Sequence, residues 1–279
     1  MAQALAWQLN PVQLDQVWES LELGDYPFPF EVASFGSTDV GRSQLRRRVR
    51  DELTASGLLR RDRLDADLEW ALRLIAGPEV SVDSIWLADG DSPHGDSPHG
   101  YSPHRALVAR AANRAVLAVQ QPGPVEHEGG DLSLREVAPD NLVAPLITTL
   151  PAQRPGTKQG GTAPVPQQPP KPSAQESAQQ GGLMRVANYG RDRDLRALDD
   201  LLGAEHAAIG QIGVTVREPS GRKRHTNAVT WFDNADDGRY LVVTAPGQDG
   251  REWVTVTPAD AHALGSRVED TVRRSLTTR

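Results

Sequence analysis

The chain of 279 residues has no cysteine, which excludes a disulfide framework, cysteine-ligated zinc and a thiol nucleophile. Lysine is confined to Lys158, Lys171 and Lys223, and arginine supplies the rest of the 30 basic residues. With abundant Ala, Gly and Pro, this reads as the coding bias of a GC-rich genome. Basic residues are outnumbered by 37 acidic ones, for a net charge of -7, so the basic footprint of a phosphate-backbone binder is missing and nucleic acid is not expected as a partner. No apolar run approaches the roughly 18 residues that span a bilayer. The opening MAQALAWQLNPVQLDQ has no basic stretch followed by an apolar one, so a soluble, cytoplasmic chain without membrane insertion is expected. Signatures of chemistry are absent too: there is no GxSxG elbow, no GxxxxGK[ST] phosphate loop and no GxGxxG turn. His127-Glu128-Gly129-Gly130 lacks the second histidine of a zincin helix. No pair of carboxylates stands out as acid and base. No catalytic residue and no cofactor are expected, and the chain reads as a binding protein, not an enzyme.

One pattern occurs twice: four short strand-like runs, then a helix. The first copy has runs near 80 to 88 (VSVDSIWLA), 105 to 110 (RALVAR), 114 to 120 (RAVLAVQ) and 131 to 137 (DLSLREV), followed by a helix from Pro139 to about Leu150. The second has runs near 210 to 218 (GQIGVTVRE), 225 to 232 (HTNAVTWF), 239 to 245 (RYLVVTA) and 252 to 257 (EWVTVT), followed by a helix from Pro258 to about Leu276. Ala111-Ala112-Asn113, Pro219-Ser220-Gly221, Asp236-Asp237-Gly238 and Pro246-Gly247 are tight-turn connections, so each copy predicts an antiparallel meander. The expected fold is α+β, a quasi-two-fold duplication of a four-stranded meander plus helix forming a central sheet flanked by helical bundles.

Ahead of the copies, a short strand at Leu5 to Leu9 meets Asn10-Pro11, an N-cap and N1 proline for a helix that Gly24 stops. Tyr26-Pro27-Phe28-Pro29-Phe30 predicts an extended strap that lays aromatic rings on the core. Leu45, Val49, Leu53 and Leu58 predict an amphipathic helix over 42 to 59, and Leu64, Leu68, Leu72 and Ile75 another, stopped at Gly77-Pro78. Between the copies, residues 151 to 182 are rich in Pro, Gln and Gly and short of apolar anchors. They predict a disordered linker between an N-terminal half (1 to 150) and a C-terminal half (183 to 279), both within one globular domain. Only Asp192 to Leu202 looks helical beyond it.

Three local features compete for attention. Gly90-Asp91-Ser92-Pro93-His94 recurs as 95 to 99 and, with Tyr101 in place of Asp, as 100 to 104; three imidazoles could hold a divalent transition metal, but a tandem Gly/Pro unit is more simply a loop insertion. Arg46, Arg47, Arg48 and Arg50 form either a patch for an acidic partner or, as such clusters more often do, a solvated helix face. Asp233, Asp236 and Asp237 lack the spacing and terminal Glu of a calcium loop and read as a hairpin turn. Six tryptophans, at 7, 18, 70, 86, 231 and 253, outnumber either Phe or Tyr; most tryptophans are core, yet one exposed on a sheet face is a strong interface anchor.

The N-terminal strand and Trp-bearing helix, the arginine-rich helix running into DELTASGLL (51 to 59), RAVLAVQ followed by DLSLREVAPDNLVAPLITTLP, and the C-terminal WVTVTPADAHALGSRVEDTV together resemble the EspG family. These are secretion-associated proteins of actinobacterial ESX (type VII) systems. The resemblance implies a cytosolic chaperone that binds the tip of the helical hairpin in a secreted PE/PPE-like heterodimer, itself a monomer or weak homodimer. The linker and the His repeat depart from the family pattern. On the matching elements the expected contact residues are Trp231, Phe232, Asp233, Arg251, Trp253, Arg267 and Asp270. Two rival readings are a metal-binding protein or metal-dependent enzyme using His94, His99 and His104, and a scaffold that recruits partners through the Pro-rich linker with its Pro166-Gln167-Gln168-Pro169 match.

Overall fold

β1 (Ala6–Leu9) feeds α1 (Pro11–Ser20) through a capping box: Asn10 Oδ1 accepts from the Gln13 N–H at 2.8 Å, and Gln13 Oε1 accepts from the Asn10 N–H at 3.2 Å. In this computed structural model, residues 6–88, 103–125, 128–165, 193–248 and 250–277 are described. Of the aromatic strap, Tyr26 stacks on Trp18 at 4.6 Å and Phe30 is buried, while Phe28 stays exposed. α2 (Asp39–Ala55) starts at Thr38, whose hydroxyl accepts from Gly41 N–H, and turns into a two-residue hairpin of β2 (Leu59–Arg60) and β3 (Arg63–Leu64). α3 (Ala66–Ala76) is capped by Asp65 and ends at Gly77, as expected.

β4 (Val80–Ala88), β5 (His104–Ala111), β6 (Arg114–Pro122) and β7 (Gly129–Val137) follow within a few residues of the alternating runs. The helix expected over 139 to 150 shrinks to α4 (Val143–Ile147), because Pro145 has no N–H to donate and fits only a first turn; Asn141 Oδ1 accepts from Ala144 N–H just ahead of it. β8 (Gly161–Pro164) and α5 (Arg193–Leu202) come next, then β9 (His206–Arg217), β10 (Lys223–Asn234), β11 (Gly238–Pro246), β12 (Glu252–Pro258) and α6 (Ala261–Thr277). α6 begins three residues later than Pro258 suggested. Thr257 and Pro258 instead complete β12 opposite Leu241 and Tyr240, and a proline is tolerated at a strand end because no ladder donor is needed there.

The chain therefore mixes helices with a large antiparallel sheet, and it divides into two compact units: Met1–Ala152 with Ala208–Val229 and Ala261–Arg279, and Gln153–Ala207 with Thr230–Asp260. These boundaries differ from a cut at the linker, because β9 pairs with β4 and α6 packs on α4, which draws late sequence into the first unit.

In the first unit the strand order is β1-β7-β6-β5-β4-β9. Leu107, Ala109, Val116, Ala118, Leu132 and Leu134 point to one side, where α1, α2 and α3 bury them with Leu14, Trp18, Leu53 and Leu72. Ala106, Val108, Ala115 and Leu117 point to the other side, where α4 lies against β4 and β5 with α6 beside it.

In the second unit β11 lies between β10 and β12, and β12 pairs with β8. Part of the expected linker is thus folded. β8 falls inside 151 to 182, and Pro155 to Lys158 pack on β11, where Gly156 N–H donates to Arg239 O at 3.0 Å and Lys158 N–H to the Tyr240 hydroxyl at 3.0 Å. Apolar anchors were not required: Gly161-Thr162-Ala163-Pro164 adds to the open edge of β12, where ladder bonds do the work of side chains. The PxxP match lies outside the described residues.

Candidate functional site

β12 alternates, with Val254 and Val256 buried and Trp253 and Thr255 half-exposed. In register, Ala245 and Pro164 flank Trp253, and Val243 and Thr162 flank Thr255. The Thr162 and Thr255 hydroxyls sit 3.0 Å apart. This side of the second unit is a shallow surface of one indole, small apolar groups and hydroxyls. The opposite side, carrying Val242, Val254, Val256 and Ala163, is buried, and α5 packs at β8 with Leu198 and Leu201 buried.

Period-two geometry puts Trp231 and Asp233 on the same side as Trp253, opposite Leu241 and Arg239 of β11. They are not on the surface. Trp231, Phe232 and Asp233 are all at most 1% exposed, so these three expected contact residues stand inside the second unit. Asp233 holds Arg239 bidentately, Oδ1 accepting from Nε at 2.7 Å and Oδ2 from Nη2 at 2.8 Å, and the guanidinium carbon lies 4.3 Å from the Trp231 ring centroid. Phe232 points the other way and stacks with His206 at 4.7 Å and Tyr240 at 5.4 Å. Arg251 is exposed just ahead of β12.

Asp237, in the β10–β11 turn, ties the 153–165 segment down. It accepts from Thr157 N–H at 2.9 Å, from the Thr157 hydroxyl at 2.6 Å and from the Tyr240 hydroxyl. The Thr157 bonds first, then that of Tyr240, hold its carboxyl well below the usual range, while burial pushes the Tyr240 phenol up to about 12. The acidic turn thus serves as a hairpin and an anchor.

Arg267 and Asp270 lie on α6 in the first unit, half-buried beside the stripe of Leu264, Val268, Thr271 and Ser275. Asp270 pairs with Arg273 at 3.0 Å, and Arg267 Nε is buried without a hydrogen bond among the described residues. The arginines of α2 largely meet the chain's own acids, Arg48 with Glu52 at 2.8 Å, Arg46 with Glu19 at 3.6 Å and Arg50 with Asp62. His94 and His99 fall outside the described residues, and His104 stacks flat on Trp86 at 5.0 Å. Among the described residues no cluster of His, Asp or Glu could hold a metal, and no helix is long and apolar enough to cross a membrane.

Among the buried charges that sequence reasoning missed is Asp83. Asp83 sits in β4 beneath His225, whose Nδ1 is 3.9 Å from Asp83 Oδ2 and 3.0 Å from Thr215 Oγ1. Gly213 of β9, opposite Asp83, leaves them room: a Cβ there would meet the His225 ring at 2.4 Å and Asp83 Oδ1 at 2.8 Å. A glycine interrupting the apolar run IGVTV was the available signal. Burial pushes the Asp83 carboxyl from 3.8 up to about 6, against the opposing pull of the His225 charge. Between those values the folded chain holds a proton that the unfolded chain has released, so this group makes stability fall as pH rises from about 4 to about 6, by at most about 3 kcal/mol. Asp83→Asn is expected to flatten that slope in urea unfolding measured across the window; an unchanged slope would show that Asp83 does not titrate there.

A family model described as EspG family (ESX-1_EspG) matches residues 10–270, nearly the whole chain. No curated protein matches it.

Proposed function

The chain belongs to the EspG family, and we propose on that premise that it is a cytosolic chaperone of a type VII (ESX) secretion system that binds a secreted helical PE/PPE-type heterodimer and keeps it in solution. Family membership is the observation that carries this reading. In it the chain does no chemistry. A helical hairpin with an apolar tip self-associates in water, and a protein that covers the tip removes that patch.

The residues of this proposal are, in the second unit, Trp253 and Thr255 on the half-open side with Arg251 at its margin and, in the first unit taken by itself, Arg267 and Asp270 of α6. Trp231, Phe232 and Asp233 serve as the rigid interior behind the first of these. The reading includes the duplication: β4 to β7 with α4, and β9 to β12 with α6, are two copies of one unit forming a central sheet flanked by helical bundles. The consecutive strand order within each run supports it.

Co-expression with the PE/PPE-like pair encoded nearest this gene, followed by size-exclusion chromatography with light scattering, tests the proposal. A soluble complex of one chain and one heterodimer is expected; an insoluble client with this chain eluting alone defeats it. In that complex Trp253→Ala is expected to weaken binding roughly tenfold or more, as truncated aromatic anchors do. Unchanged affinity with unchanged melting removes Trp253 from the interface.

A further inference from the structure

On the side of the first unit's sheet away from α4 and α6, helices α1, α2 and α3 and the β2–β3 hairpin line an open groove of about 680 Å³. Its floor is apolar, formed by Val17, Leu21, Val49, Leu53 and Leu64. Its rim is cationic. Arg46 and Arg50 keep 61% and 60% of their side chains exposed while meeting only Glu19 and Asp62, and the side chain of Arg63, also exposed, makes no hydrogen bond or ion pair among the described residues. The carboxylates that line the groove are already engaged, Asp62 by Arg50 and Glu69 by Arg73 at 2.9 Å.

One buried group on the floor lacks a partner. Gln16 is 4% exposed, and its Nε2 donates to Asp15 Oδ2 at 3.0 Å. Its Oε1 is buried and accepts no hydrogen bond. Buried side-chain acceptors are nearly always satisfied, and leaving one empty is costly. An occupant that fits this groove needs apolar side chains for the floor, carboxylates for the rim and an N–H or O–H for Gln16.

We propose that the groove docks an amphipathic helix of another protein, one whose apolar stripe is bordered by Glu and Asp. Three helices along an open trough offer the ridges and grooves that a fourth helix packs into. The volume lies within the range of about 300–1,000 Å³ of ordinary binding pockets, room for several side chains and not for one small ion. Arg46 and Arg50, the cluster that pairs with the chain's own acids, gain a second use here: both pairs are solvent-exposed and weakly held, so an incoming carboxylate can share them. The proposal stands apart from client binding, which uses other residues.

Fluorescence anisotropy with the full chain tests it. The probe is a labelled peptide of about 18 residues, about five helical turns, with leucine at helical spacing bordered by glutamate; its lysine counterpart is the control. The glutamate peptide is expected to bind saturably and the lysine peptide about tenfold more weakly or worse. Arg46→Glu with Arg63→Glu should reverse that preference without changing the melting temperature, since both side chains are exposed. Gln16→Met, which removes the orphan acceptor, should weaken the glutamate peptide about threefold to tenfold with melting unchanged or raised. Trp253→Ala should leave peptide binding intact, which separates this surface from the client's. No binding of the glutamate peptide, equal binding of the two peptides, or indifference to the arginine changes would overturn the proposal.

Discussion

Replacing Asp233 with Ala is expected to cost about 3–5 kcal/mol of stability in the second unit, because it leaves a buried guanidinium without its carboxylate. Arg239 is 1% exposed and is held by both oxygens of Asp233, at 2.7 and 2.8 Å. Its stacking over Trp231 is worth at most roughly 2 kcal/mol in a desolvated site, too little to compensate. The loss is asymmetric. Asp233→Leu combined with Arg239→Met removes both desolvation costs together with the attraction, so the double variant should recover most of the stability. Urea unfolding followed by tryptophan fluorescence reads this directly, with Trp231 beside the pair. A cost below about 1 kcal/mol for Asp233→Ala would mean that water reaches the pair and that it behaves as a surface ion pair.

Gly160→Ala is expected to unseat β8. A Cβ at this position would lie 1.9 Å from the Val256 carbonyl oxygen, 2.8 Å from its carbon and 3.1 Å from Thr257 Cα. All three atoms are backbone, so no side chain can swing aside, and the strands must separate. The expected loss is about 1–3 kcal/mol or more, the usual cost of forced overpacking. Hydrogen exchange gives the sharper test: amides of β8 and β12 should lose protection while those of β4 to β7 keep theirs. The bared edge of β12 should also raise the tendency to aggregate. Unaltered protection would show that the 160–164 segment does not need this close approach. Since Thr162 and Pro164 belong to the side around Trp253, the proposed binding of a client there should fall in the same variant.

Much of the fold could be read from the sequence because its signals are local. VSVDSIWLA, RALVAR and RAVLAVQ mark their strands by composition and tight turns, and Asn10-Pro11 marks a helix start by capping chemistry that involves only the next three residues. Where local signals competed, the structure chose differently. Pro139 and Pro258 both looked like first-turn prolines, but Pro145 delayed one helix and continued pairing with β11 delayed the other. Residues 161–164 have no strand-like composition, and they pair because β12 presents an open edge, a fact about a partner about 90 residues away in the chain.

The site was less legible for the same reason. Trp231 and Trp253 are the same residue type in strands of similar pattern, yet one is wholly buried and the other half-exposed. Alternation tells which side of a strand a residue faces, not what lies over that side. Asp83 gave no sign beyond a glycine opposite it.

By itself the sequence determined the missing thiol chemistry, from composition, and the strands β4 to β7 and β9 to β12 with most of the helices, from period and capping; the resemblance to the family lay in matching runs such as DLSLREVAPDNLVAPLITTLP. Only the tertiary structure decided that Asp233 grips Arg239 in the interior and that Asp237 anchors half of an expected linker. It also decided that α1, α2 and α3 leave a groove between them. Each of these depends on groups brought together from distant parts of the chain, and their desolvation is set by the packing around them.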